Sequence, residues 1–189
     1  MSLKYQKGDT IIEVVLAFAI FSLAAVGTIA LINSGLATTQ RNLETTLVRQ
    51  QIDSQAELLR YLRDTQNPAW QAITDSSRLV NNPAELSDSC RTIDTSTQAF
   101  YVQPSIAPNP EDTSYARHAL TSMDRPDTYA KINYSDGATV SQGLWIQATR
   151  AEQSGASSVS AYDFYIHACW DSVGTDEPMT LGTIVRIYD

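Results

Sequence analysis

Residues 11–32 read IIEVVLAFAIFSLAAVGTIALI, with Glu13 the one charge in 22 positions. As a helix this stretch is about 33 Å long, enough to cross a hydrocarbon core of roughly 30 Å. No proline interrupts it. Gly27 costs a helix about 1 kcal/mol in water relative to alanine, but glycine is common in membrane helices. Lys4 and Lys7 precede the run and no base follows it until Arg41. The positive-inside bias therefore predicts a cytoplasmic N-terminus and places residues 33–189 outside.

The helical pattern outlives the apolar run. Leu36, Leu43, Leu47, Leu58 and Leu62 recur at helical spacing, with Val48, Ile52 and Leu59 beside them and Gln, Asn, Arg, Thr and Glu between. The spacing predicts an amphipathic continuation to about Asp64, stopped where Asn67-Pro68 forbids another turn. A helix from about Thr10 to Asp64 is on the order of 80 Å long. Its first half is apolar all round and its second half on one stripe, which suits two different environments.

Beyond the helix, residues 65–142 carry prolines at 68, 83, 104, 108, 110 and 126 and read mostly as ordered loop. Trp70–Ile73 reads as a short helix, Ala99–Val102 as a short strand, and Ser114–Met123 as a turn of helix. The C-terminal part is more regular. Leu144–Ala151, Ala161–Trp170 and Leu181–Tyr188 read as strands, with Tyr162, Phe164, Ile166, Ala168 and Trp170 alternating onto one face. The expected fold class is α+β: a long N-terminal helix, membrane-spanning then amphipathic, packed on a C-terminal antiparallel sheet.

Charge is unevenly placed. Residues 1–64 hold six acids and six bases, so the net −8 sits in 65–189, with fifteen acids against seven bases. An acidic exterior repels phosphate backbones, so no nucleic-acid partner is expected. The two cysteines, Cys90 and Cys169, lie in this acidic part and form a candidate disulfide if it is exported, with free thiols the alternative.

Catalytic and metal signatures are not found in the sequence. The two histidines, His118 and His167, are far apart and outside any metal-spaced cluster. There is no phosphate-binding glycine loop and no G-x-S-x-G elbow. Asp171, Asp176 and Glu177 flank a glycine, but their spacing lacks the calcium-ligand pattern and reads as a solvated turn. No enzyme activity and no cofactor are expected.

Three readings fit the apolar segment: a secretory signal with a weak small-residue site at Gly35-Leu36-Ala37, a plain signal anchor, or a processed anchor identified by its flank. The flank, Lys7-Gly8-Asp9-Thr10-Ile11-Ile12-Glu13, resembles the type IV prepilin cleavage and methylation motif. In that family a short basic leader ends in glycine, threonine stands at the second position after it, an aliphatic pair follows, and glutamate stands at the fifth. Gly8, Thr10, Ile11, Ile12 and Glu13 fall in that register. Asp9 departs from it, since the family usually has phenylalanine or another apolar residue there. The resemblance covers roughly residues 4–35.

That resemblance implies a leader over 1–8, a filament-core helix over 9–33, its amphipathic continuation over 34–64 and an extracytoplasmic domain over 65–189. It implies cleavage between Gly8 and Asp9 by a prepilin peptidase, N-methylation at Asp9, and pairing of Glu13 with the new N-terminal amine of a neighbouring subunit. The implied partners are that peptidase, other pilin subunits, an inner-membrane assembly platform and the lipid bilayer. The implied product is a pilin or minor pilin of a cell-surface filament. Glu13 also has a local role open to it, because Thr10-x-x-Glu13 before an apolar run is a capping-box pattern. The alternative for the whole chain is a single-pass anchored binding or adhesin module that stays outside any filament.

Overall fold

The computed structural model describes residues 11–82, 85–86, 90, 93, 97–105, 114–135, 138–151 and 160–189. Gly8, Asp9 and Thr10 lie outside these. The chain divides into two compact units, residues 1–40 and Arg41–Asp189. One helix, α1 (Ile11–Asp64), runs through both. It is followed by α2 (Pro68–Thr74) and a 3-10 turn over Ser76–Arg78. Seven strands complete the described elements: β1 (Phe100–Ser105), β2 (Ser114–Ala119), β3 (Lys131–Ser135), β4 (Ala138–Gln142), β5 (Leu144–Arg150), β6 (Ala161–Trp170) and β7 (Met179–Tyr188). The fold is α+β, a long N-terminal helix on a C-terminal antiparallel sheet, as the sequence pattern predicts.

The main sheet has the order β2-β1-β5-β6-β7, all antiparallel. β5, β6 and β7 form the expected meander, and β6 and β7 stay in register over ten pairs, from Ala161↔Tyr188 to Trp170↔Met179. Strand alternation puts Phe164, Ile166, Ala168 and Trp170 on the buried face toward the helices. A bidentate pair from Arg186 to Asp163, 2.7 Å at both nitrogens, ties β7 to β6 on the opposite face. That pair holds the Arg186 pKa above its ordinary value.

Two segments differ from the sequence expectation. Ser114–Ala119 is a strand rather than a turn of helix, because it pairs along its whole length with β1. Its alanines, arginine and histidine suit a helix locally, and tertiary pairing overrides that preference. Lys131–Gln142, expected as loop, holds the β3–β4 hairpin, with Ser135 paired to Ala138 across a two-residue connection. The strand at 99–102 also extends further than expected, to Ser105.

The face that α1 buries is rotated from the predicted leucine stripe. The buried positions are Glu44, Val48, Ile52, Gln55, Ala56, Leu59 and Leu62. Leu36 and Leu43 are exposed, and Leu47 and Leu58 flank the contact. The stripe that wins is the one carrying β-branched residues at 48 and 52. It also includes two polar side chains that the sheet satisfies. Val48, Ile52, Leu59 and Leu62 meet Trp70 and Ile73 of α2 and Phe100, Val102, Ile146, Phe164 and Ile166 of the sheet in one core.

α1 ends in a Schellman motif. Asn67 N donates to Leu62 O at 2.9 Å and Gln66 N to Arg63 O at 3.1 Å, with Gln66 left-handed at φ 52°. Asn67 then caps α2, its Oδ1 accepting from Ala69 N at 3.0 Å, and Pro68 takes the first helical position where no N–H is needed. The residues that stop one helix therefore start the next. Between β4 and β5, Gly143 sits at φ 71° and a Cβ there would lie 2.1 Å from Cys169 O, so only glycine fits.

Candidate functional site: the apolar half of the first helix

All thirteen Ile, Val, Leu and Phe side chains of residues 11–32 are exposed in the single chain, from Val14 at 47% to Ile11 at 83%. Water does not tolerate a continuous apolar surface of this size; it marks contact with lipid or with other protein. The segment is long and apolar enough to cross a membrane. Its two hydroxyls do not spoil that fit. Ser22 Oγ donates to Phe18 O and Thr28 Oγ1 to Ala24 O, each at 2.8 Å and one turn back. Both groups are satisfied within the helix, as a hydrocarbon environment requires.

Glu13 stands in the first turn of α1 as described, exposed, where a carboxylate is favoured by the helix's positive end. Its proposed reach to Thr10 falls outside the described residues, as do Gly8 and Asp9. After the apolar run, Thr38 and Thr39 bond back to Ser34 O and Gly35 O at 3.0 and 2.9 Å, carrying the helix through a polar stretch without a break.

Within the second unit, α1 is fixed to the sheet by polar side chains on its buried face. The Glu44 carboxylate, 5% exposed, accepts from Trp170 Nε1 at 3.1 Å and Ser172 Oγ at 2.5 Å. Arg41 reaches the same β6–β7 loop, donating to Gly174 O at 2.6 Å and Val173 O at 3.3 Å. Gln55 bonds the backbone of Val102 in β1 through both ends of its amide. The sequence reading treats none of these as special. The signal for them is positional: residues 44 and 55 lie on the 3.6-residue face shared with 48, 52, 59 and 62.

Cys90 and Cys169 are joined by a disulfide, with Cα atoms 5.6 Å apart. Cys169 lies on the sheet face away from α1 and is fully buried. Gln147 supports the same region, its Nε2 donating to Thr97 O at 2.9 Å. His167 is half-buried beside it, stacked between Trp145 and Tyr165 at centroid distances of 5.4 and 6.4 Å. His118 stacks on Tyr101 at 5.4 Å. Among the described residues no group of three His, Cys, Asp or Glu side chains could hold a metal ion. Asp171 pairs with Arg125 at 2.8 Å. An open groove is lined by Arg63, Asp64, Asn67, Trp70, Thr74 and Asp189.

Comparison with protein-family models, with curated proteins and with solved structures finds no match to this chain.

Proposed function

We propose that this chain is a structural subunit, a pilin or minor pilin, of a type IV pilus-like filament, inserted in the membrane as a precursor and cut after Gly8. The observation that carries this reading is the register of Gly8, Thr10, Ile11, Ile12 and Glu13 at the mouth of a helix apolar on every side. Support comes from the length of α1, 54 residues without a break, which gives one helix both a lipid-compatible half and a domain-packing half. A cleavable signal has no need of such continuity.

In this reading Lys4 and Lys7 keep the leader in the cytoplasm, where a prepilin peptidase removes residues 1–8 and methylates the amine of Asp9. The exposed side chains from Ile11 to Ile32 then exchange lipid for the helices of neighbouring subunits. Lipid and leucine are about equally apolar, so the exchange gains little from hydrophobicity and depends on packing and polar pairing. Glu13 supplies the polar pairing: its carboxylate meets the Asp9 amine of a neighbour in a low-dielectric setting, where an opposite charge counts for much more than in water. The acidic domain faces outward.

The test is Glu13→Ala in cells that assemble the filament. The variant chain is expected in the membrane fraction at wild-type level and depleted from the sheared surface fraction. Equal incorporation of both chains removes the pairing role of Glu13.

A further inference from the structure

The corner where α1 turns into α2 forms an open groove of about 860 Å³, within the size range of small-molecule sites. Asp189, just past β7, lines it as well. Two carboxylates in it are each held by one oxygen. Trp70 Nε1 donates to Asp189 Oδ1 at 3.2 Å, and Arg63 Nη1 to Asp64 Oδ1 at 2.7 Å. Asp189 is fixed through its backbone too, its N donating to Ser160 O at 2.8 Å. Among the described residues, the second oxygen of each carboxylate accepts no hydrogen bond, and the side-chain amides of Gln66 and Gln71 make none.

Gln66 is the least expected of these residues. It stands at φ 52°, where glycine is unstrained and a side chain is not. Its side chain is exposed and bonds to nothing among the described residues, so no contact within them offsets the strain. What the strained position does achieve is to add a second glutamine amide to the groove. Strain at a cavity wall is a pointer to a ligand.

The chemistry of the walls selects among ligands. The Arg63 charge is matched by Asp64, which leaves Asp189 as a net negative charge against any anion. An apolar ligand finds no apolar wall, because Trp70 is only 5% exposed. Fixed carboxylate acceptors beside unengaged amides match a group that donates and accepts at once, and a hydroxyl is such a group. Neighbouring hydroxyls on a sugar ring repeat that pattern. Acceptors already held in place lose little freedom on binding.

We propose that this groove binds a neutral carbohydrate, with Asp64 and Asp189 accepting from its hydroxyls and Gln66 and Gln71 donating to them. The site uses no residue before Arg63, so it stands apart from the filament reading. Leader processing is read from the mature mass, and its failure leaves the site untouched.

The test uses the full chain in a detergent without a sugar headgroup. The probes are maltose, lactose and cellobiose, with glycerol as the control. Saturation-transfer NMR should show saturable transfer to at least one of the three sugars, with an apparent Kd on the order of 1 mM, and none to glycerol. In Asp64→Ala, an exposed change, the Kd should rise at least about tenfold, as loss of a hydrogen bond to a charged group requires. In Gln66→Gly the effects on folding and binding have opposite signs: the unfolding midpoint should not fall, and the Kd should rise about fivefold. No saturable transfer to any of the three sugars, equal transfer to glycerol, or the same Kd in all three chains overturns the site. An unchanged Kd in Gln66→Gly alone overturns the role given to Gln66.

Discussion

Gln55 of α1 and Val102 of β1 exchange two hydrogen bonds: Gln55 Nε2 donates to Val102 O at 3.0 Å, and Val102 N donates to Gln55 Oε1 at 2.9 Å. Residues two apart on a strand present their backbone groups to the same edge. Phe100 meets β5 on that edge, opposite Ile146, the one β1–β5 pair among the described residues. Beyond it the strands diverge, and the Gln55 amide stands in for the missing strand. Gln55 is 1% exposed, so no water replaces it. Gln55→Leu keeps the volume and orphans both backbone groups of Val102, at about 1–3 kcal/mol each. Urea unfolding of the full chain in micelles should show a lower midpoint, equivalent to a loss of about 2–6 kcal/mol, with an unchanged slope. A loss under about 0.5 kcal/mol would mean the two bonds are replaced.

At the end of α1, Gln66 occupies a left-handed position, φ 52°, where a side chain is strained and glycine is not. Gln66→Gly is expected to raise stability by about 0.5–1 kcal/mol, the strain relieved being partly offset by the freer unfolded chain. Thermal unfolding checks this. A lowered midpoint would show that the Gln66 side chain makes a contact worth more than its backbone strain.

The parts of this fold legible in the sequence are those where one period dominates. Residues 11–32 have no polar face to mistake, and 144–150, 161–170 and 181–188 alternate cleanly. Ser114–Ala119 was illegible because its residues suit a helix and only the ladder with β1 makes it a strand. The β3–β4 hairpin did leave a mark, since Asp136-Gly137 between Ile132 and Val140 is a favoured two-residue hairpin sequence. The proline-rich surroundings hid it. On α1, counting leucines selects the wrong stripe, because Glu44 and Gln55 look like solvent residues until Trp170 and Val102 are placed opposite them.

The Cys90–Cys169 bridge spans 79 residues. In the chain-entropy picture a loop of that length is restrained in the unfolded state by about 4–5 kcal/mol. Replacing both cysteines with serine, or reducing the bridge, should lower stability by up to that amount. It should also loosen the segment that Gln147 helps to hold. Denaturation with and without reductant measures the first effect. Equal midpoints in both conditions, with reduction verified by mass, would show that the bridge adds nothing to stability.

The most direct measurement is the intact mass of the chain purified from membranes with and without a co-expressed prepilin peptidase. With the peptidase, residues 1–8 should be gone and the chain should begin at Asp9, with one added methyl group. Without it, the full precursor should persist. An unchanged mass in the presence of the peptidase, or cleavage beside Ala37, would contradict the assignment of this chain as a filament subunit.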